Sequence, residues 1–166
     1  MITSDLKKKI MKKLLTISML LLGVMSMKAQ QVYLDNGLYV SADGKTFSGT
    51  YSEHFASGAL QSEINILNGK AEGLATYFYE SGAKMESGNF VNGERNGLWE
   101  KWNEKGLKIG EANYKMGVKD GQWIVWDDNG VERMEMHYSN GEKSGKWLMW
   151  DEKGTLSGER VYSVAQ

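Results

Sequence analysis

His54 and His137 are the two imidazoles of this chain, and no cysteine accompanies them. They stand far apart in sequence with no third ligand nearby, so a zinc site built on histidine and thiolate is not expected. Without cysteine there is no thiol nucleophile and no disulfide. His54 occupies an aromatic position of a repeat described below and reads as a packing substitute. His137 precedes the column residue Tyr138 and is expected on the opposite side of its strand. Carboxylates gather as Glu104, Asp127, Asp128, Asp151 and Glu152 in runs that end in glycine. Short polar side chains of this kind favour turns because they bond local backbone groups. Asp127-Asp-Asn-Gly130 lacks the spaced oxygen ligands that calcium requires. A repeated acid column also lacks the cleft and the unequal environments that glycosidic hydrolysis needs. Ser57-Gly58 and Ser81-Gly82 read as hairpin turns, and no glycine-rich run opens a helix to cradle phosphate. The expectation is a chain that is not an enzyme, with no catalytic residues, no cofactor and no metal.

The remaining chemistry is aromatic. Gly97-Leu-Trp-Glu-Lys-Trp102 is followed by Asn103-Glu-Lys-Gly106, and near-copies begin at Gly121 and Gly145. The period is 24 residues, in the range of solenoids and arrays. Gly49, Gly73, Gly97, Gly121 and Gly145 form one glycine column. Gly58, Gly82, Gly106, Gly130 and Gly154 form a second, and Gly69, Gly93, Gly117 and Gly141 a third. These columns hold 14 of the 20 glycines, which chance does not readily give. Three aromatic columns run in phase. The first is Tyr51, Ala75, Trp99, Trp123 and Trp147. The second is His54, Phe78, Trp102, Trp126 and Trp150. The third is Ile66, Phe90, Tyr114, Tyr138 and Tyr162.

Each copy reads as a short strand, a four-residue turn ending in glycine, and a longer strand ending in an aromatic. Asn68-Gly69, Asn92-Gly93 and Asn140-Gly141 are strong two-residue turn signals, whereas Met116-Gly117 is weak. Helix is disfavoured, because each interior glycine costs about 1 kcal/mol against alanine. A single hairpin is marginal alone, so neighbouring copies must share an apolar layer. The expected fold is all-β: tandem β-hairpin repeats forming an elongated, twisted single-layer sheet or open solenoid. Five repeats span about 45–69, 70–93, 94–117, 118–141 and 142–166, preceded by a degenerate cap hairpin over 30–44. In this reading Gly73, Gly97, Gly121 and Gly145 are turn glycines. The paired tryptophans stand three apart, so a regular strand would point them to opposite faces. Either a bulge brings both inward or one column is core and the other part-exposed. Trp99, Trp123 and Trp147, with Phe90, Tyr114, Tyr138 and Tyr162, are taken as repeat core. Trp102, Trp126, Trp150 and Phe78 are then the candidate partner-binding strip, since interface hot spots favour such rings.

These columns resemble the MORN repeat in its bacterial variant, with Phe90-Val-Asn-Gly93 leading to Gly97-Leu-Trp99-Glu-Lys-Trp102 and Gly106. Tyr114-Lys-Met-Gly117 and Tyr138-Ser-Asn-Gly141 lead to the next two copies in the same way. The resemblance covers roughly 45 to 166. It implies rows of β-hairpins in an extended curved sheet, and scaffolding, protein binding or membrane association as roles. Some proteins of this variant carry an antitoxin label, which would imply neutralising a toxin. The first copy departs from the pattern with Tyr51 and His54, and its successor carries Ala75 at the first ring position.

Compartment follows from the amino terminus. Lys7-Lys-Lys-Ile-Met-Lys-Lys13 precedes an apolar run from Leu14 to Met25 and then Ser26-Met-Lys-Ala29. This is the pattern of a signal peptide over residues 1–29, and it is short for a membrane span. Export follows, to the periplasm, the outer membrane or the outside. Residues 1–29 hold six of the 20 basic side chains and one of the 21 acids, so the remainder carries 14 against 20, a net of -6. That sign disfavours nucleic acid and anionic phospholipid as partners. A protein partner is the first expectation and a glycan, carbohydrate or peptidoglycan, stacked on exposed rings is the second.

Overall fold

A computed structural model of the chain describes residues 31–163. The segment read as a signal peptide lies outside the described residues. The described chain is all-β. β1 (Val32–Asp35) and β2 (Leu38–Ser41) pair with each other in a small sheet of their own. The other ten strands form one antiparallel sheet whose spatial order follows the sequence without a crossover. They are β3 (Gly49–His54), β4 (Leu60–Leu67), β5 (Lys70–Phe78), β6 (Lys84–Val91), β7 (Glu94–Trp102) and β8 (Lys108–Lys115). β9 (Val118–Trp126), β10 (Glu132–Ser139), β11 (Glu142–Trp150) and β12 (Leu156–Tyr162) complete it. β3 and β12 stand at opposite edges, so the sheet is an open row of hairpins and not a closed barrel. At about 4.8 Å per strand it extends roughly 45 Å.

Two kinds of turn alternate. Between hairpins, Asn68-Gly69, Asn92-Gly93, Met116-Gly117 and Asn140-Gly141 all place both residues at positive φ, the geometry of the two-residue turn whose twist suits antiparallel strands. Met116 adopts it at φ 46 despite its side chain, and its N–H is held by Asn96 Oδ1 at 3.1 Å. Each turn glycine donates its N–H one repeat back, Gly93 to Ala71, Gly117 to Arg95 and Gly141 to Lys119, all at 2.8 Å. Successive hairpins are thereby locked in register. Within hairpins, Asn103, Asp127 and Asp151 each accept two backbone N–H groups of their own turn on one side-chain oxygen. The Asp127 carboxyl is held below its usual range by the N–H groups of Asn129 and Val131, and that of Asp151 by those of Thr155 and Lys153.

Gly73, Gly97, Gly121 and Gly145 require a correction: they lie inside β5, β7, β9 and β11, not in turns. Their positive φ marks a bulge. Ile64 faces Ala75 and Ile66 faces Ala71, so Glu72–Leu74 of β5 cover the span that Asn65 covers on β4. In these four copies the first strand therefore starts before its glycine and outlasts the short strand read from the sequence. A second bulge falls between the two tryptophans of each pair. Lys101 faces Gly110 while Trp102 faces Lys108, which leaves Ile109 extra on β8.

One row of cross-strand neighbours carries the packing. Tyr51 faces Ile64, then Ala75, Gly88, Trp99, Ala112, Trp123 and Met136 follow across the sheet. Large and small residues alternate in its middle, so each ring lies over a small neighbour. A Cβ at Gly88 would come within 2.3 Å of the Trp99 ring. Phe47, Ile64, Ile66, Ala71, Ala75 and Trp99 form the buried cluster. β4 shows the half-buried strand pattern plainly, with Ser62, Ile64 and Ile66 buried and the residues between them exposed.

Candidate functional site

The face bearing this row carries a ladder of rings. Phe90 meets Trp99 edge-on at 5.0 Å between centroids, and Tyr114 meets Trp123 at 5.2 Å. Trp123, Tyr138, Trp147 and Tyr162 then continue at 5.4, 5.3 and 5.0 Å. Each indole N–H of the first column donates to a backbone carbonyl: Trp99 to Asn89, Trp123 to Asn113 and Trp147 to His137. Those bonds satisfy the polar end of a packed ring. Trp99 is 1% exposed and Trp147 is buried, while Trp123, Phe90, Tyr114, Tyr138 and Tyr162 are half-buried.

Cations complete the ladder. Arg95 lies over Trp99 at 4.0 Å and near Tyr114 at 5.6 Å. Lys119 lies over Trp123 and Tyr138 at 4.3 and 4.8 Å, and Lys143 over Trp147 and Tyr162 at 4.6 and 5.3 Å. Phe47, Ala71, Arg95, Lys119 and Lys143 share the 24-residue period, a column the sequence reading missed. Its members differ in type, so only their phase with the glycines could have revealed it. Arg95 is also paired with Glu86 through two bonds of 2.8 and 3.0 Å. Burial pulls the Arg95 pKa down, but the bond and charge of Glu86 outweigh it and the net shift is upward.

The second ring column is placed differently. Phe78, Trp102, Trp126 and Trp150 end β5, β7, β9 and β11 beside the turns, all half-buried. Lys84 Nζ stands 3.7 Å above Trp102, and Trp126 lines the groove described next. His54 is exposed at the end of β3, so it does not pack as a substitute ring. His137 stands beside Glu135 at 3.2 Å, across from Gln122. Among the described residues no three metal-ligating side chains gather.

A groove of about 530 Å³ opens over β8 on the ladder face. Gly110 and Ala112 form its floor, with Trp99 and Lys101 of β7 on one side and Trp123, Val125 and Trp126 of β9 on the other. Glu86, Asp127 and Asp128 stand at its rim. Each of these carboxylates is engaged: Glu86 by Arg95, Asp127 by its own turn, and Asp128 by Asn103 Nδ2 at 3.2 Å.

Packed ladder and repeated hairpins together describe an all-β repeat protein. The chain carries a match to the MORN repeat variant at residues 71–92, which spans the hairpin β5–β6. The matched copy is the one with Ala75 at the first ring position. No curated protein matches the chain. One solved structure, a GtfA/B complex bound to UDP and GlcNAc, aligns with 82% of this chain and 27% of that one. The identity is 13% and the TM-score 0.29, a likeness too slight to carry an argument. The chain spans about a quarter of the length of that relative.

Proposed function

We propose that this chain is an exported, non-enzymatic repeat protein that binds another protein at the cell envelope or outside. The observation that supports it is the ladder face of β7–β12, where Tyr114, Trp123, Tyr138 and Tyr162 are half-buried in a single layer with no second layer over them among the described residues. Aromatic rings presented on a rigid sheet are the kind of surface on which binding energy concentrates. Export rests on the basic and apolar segment at 7–29 alone. The strip Trp102, Trp126 and Trp150, with Phe78, borders this face at the turn side and belongs to the proposed partner surface.

Affinity capture with the mature chain from envelope extract tests the reading. Trp102→Ala, Trp126→Ala and Trp150→Ala should release the captured partner while far-UV circular dichroism is unchanged. Loss of the fold in those variants would instead make the column structural. Quenching of tryptophan fluorescence by soluble wall fragments, with no protein captured, would move the reading to a glycan. Cell fractionation tests export, and a cytoplasmic mature chain would overturn it.

A further inference from the structure

Phe78, Trp102, Trp126 and Trp150 each face a residue on the following strand: Lys84, Lys108, Glu132 and Leu156. These partners share the 24-residue period, so the strip alternates a ring with a side chain placed to cover the next ring. At the first step the covering is made, with Lys84 Nζ 3.7 Å above Trp102. At the second the cation is drawn away: Lys108 pairs with Glu100 and with Glu111, the latter at 2.8 Å. Thr76 and Ser87 hold those two positions one period earlier and bond each other at 3.3 Å, so no carboxylate competes there for Lys84. At the third step the cation is replaced by the carboxylate of Glu132. Among the described residues no cation lies over Trp126 or Trp150.

Glu132 is the unmatched group of this strip. It stands on β10, between Trp126 on β9 and Trp150 on β11, with neighbouring strands about 4.8 Å apart. All three side chains are half-buried, and among the described residues the Glu132 carboxylate takes part in no ion pair or hydrogen bond. The charged groups beside it are engaged elsewhere: Glu135 with Gln122 at 2.7 Å and His137 at 3.2 Å, and Arg133 with Asp127 at 3.8 Å. Burial and the charge of Glu135 push the Glu132 carboxyl above its usual range, and no cation offsets them. A part-desolvated carboxylate between two uncovered indoles favours a cation, which gains from the charge and from the ring faces together. We infer that Trp126, Glu132 and Trp150 form a site for a lysine side chain of the partner protein, which lays its methylenes and ammonium on the indoles and pairs with Glu132. Its stem suits such rings as its head suits the carboxylate, and it supplies from outside what Lys84 supplies to Trp102 from within. This rests on the protein-binding reading above and names the chemistry of the partner.

Blocked glycine peptides with one central residue, Lys, Gln or Glu, provide the test. They are titrated into the mature protein while the indole N–H resonances of Trp126 and Trp150 are followed, with that of Trp102 as the covered control. The Lys peptide should shift Trp126 and Trp150 and leave Trp102 in place. The Gln peptide should bind about tenfold more weakly, for the loss of the cation at ring and carboxylate, and the Glu peptide should give no shift. Glu132→Lys puts the residue of position 84 into the strip, fills the site from within and should abolish the shifts. Glu132→Gln should keep the fold and remove the preference for Lys over Gln. Equal binding of the Lys and Glu peptides, no shift at either indole, or full binding by Glu132→Lys would overturn the inference. If envelope-protein capture survives both Glu132→Lys and Glu132→Gln, the lysine site falls and the protein-binding reading stands. If capture fails in the parent protein while the Lys peptide still binds with its preference, the reverse holds.

Discussion

In the hairpins β3–β4 and β5–β6 the inner face is closed by small and aliphatic side chains: Ile64, Ile66, Ala71 and Ala75 are buried, and Phe47 lies over Gly49. The chain before β3 helps to close it. Tyr39 packs tilted against Tyr51 at 4.9 Å between centroids, its N–H donates to the Gly69 carbonyl at 2.8 Å, and its carbonyl accepts from the Phe47 N–H at 2.9 Å. From β7 onward the same positions hold rings and cations, with Arg95, Lys119 and Lys143 where Phe47 and Ala71 stand earlier. Most of these rings are half-buried. One backbone frame thus supports two interiors, one closed by Ile64, Ile66, Ala71 and Ala75 together with Phe47, and a more open one of rings and cations. The ammonium groups of Lys119 and Lys143 lie over these rings at 4.3 to 5.3 Å, a cation–ring attraction that stands where aliphatic packing stands in the first hairpins. The difference leaves Tyr114, Trp123, Tyr138 and Tyr162 partly accessible, while Ile64, Ile66, Ala71 and Ala75 are buried.

Trp99 stands at the border between the two interiors, and its removal should show the largest effect. Trp99→Ala should cost about 3–5 kcal/mol in denaturant unfolding, as for a fully buried ring. Trp123→Ala, in the half-buried part, should cost about half as much by the same measurement. Equal losses would break the contrast. Next, Gly88→Val should destabilise by about 3 kcal/mol because its Cβ enters the Trp99 ring. Gly110→Ala on β8, where an added Cβ meets nothing nearer than 3.5 Å, should be within about 0.5 kcal/mol of neutral or stabilising. A gain is expected at the linking turn of the open end, where Met116 holds a positive φ that Asn holds in the neighbouring copies. Met116→Asn should raise stability by about 0.5–1 kcal/mol in thermal or urea unfolding.

The smallest effect is electrostatic. Asp127 and Asp151 cap turns of the open end, whereas Phe55 and Tyr79 begin the same turns earlier. The N–H groups bonded to them hold both carboxyls below the usual aspartate range. The stability they contribute is present above the unfolded pKa and is lost as pH falls through the folded one. Acid titration should therefore weaken β9–β12 below about pH 4, and Asp127→Asn with Asp151→Asn should flatten that dependence. Hydrogen exchange of β9–β12 amides against those of β3–β6 is the measurement. Identical acid responses in the two halves would count against the capping role.

Much of the ladder was legible because its parts repeat in phase. Tyr114, Tyr138 and Tyr162 with Trp123 and Trp147 were readable as packing partners, and Asn68, Asn92 and Asn140 as turn residues. Arg95, Lys119 and Lys143 were not, because a charged residue does not announce itself as part of a packed face. Gly73, Gly97, Gly121 and Gly145 were visible as special positions but were assigned to turns, since a positive φ serves a bulge as well as a turn. The groove over Gly110 had no local signature. It exists because β7 and β9 carry large rings on either side of a strand that lacks the side chain its neighbours have.

The local sequence by itself determined the period, the all-β class and the linking turns, because turn chemistry and residue alternation act within a few residues. Tertiary structure alone decided that glycine and alanine would lie beneath tryptophan, that cations would cap the rings, and that Lys101 would face an empty position. Those outcomes depend on the pairing register between strands, and two bulges in every repeat set that register.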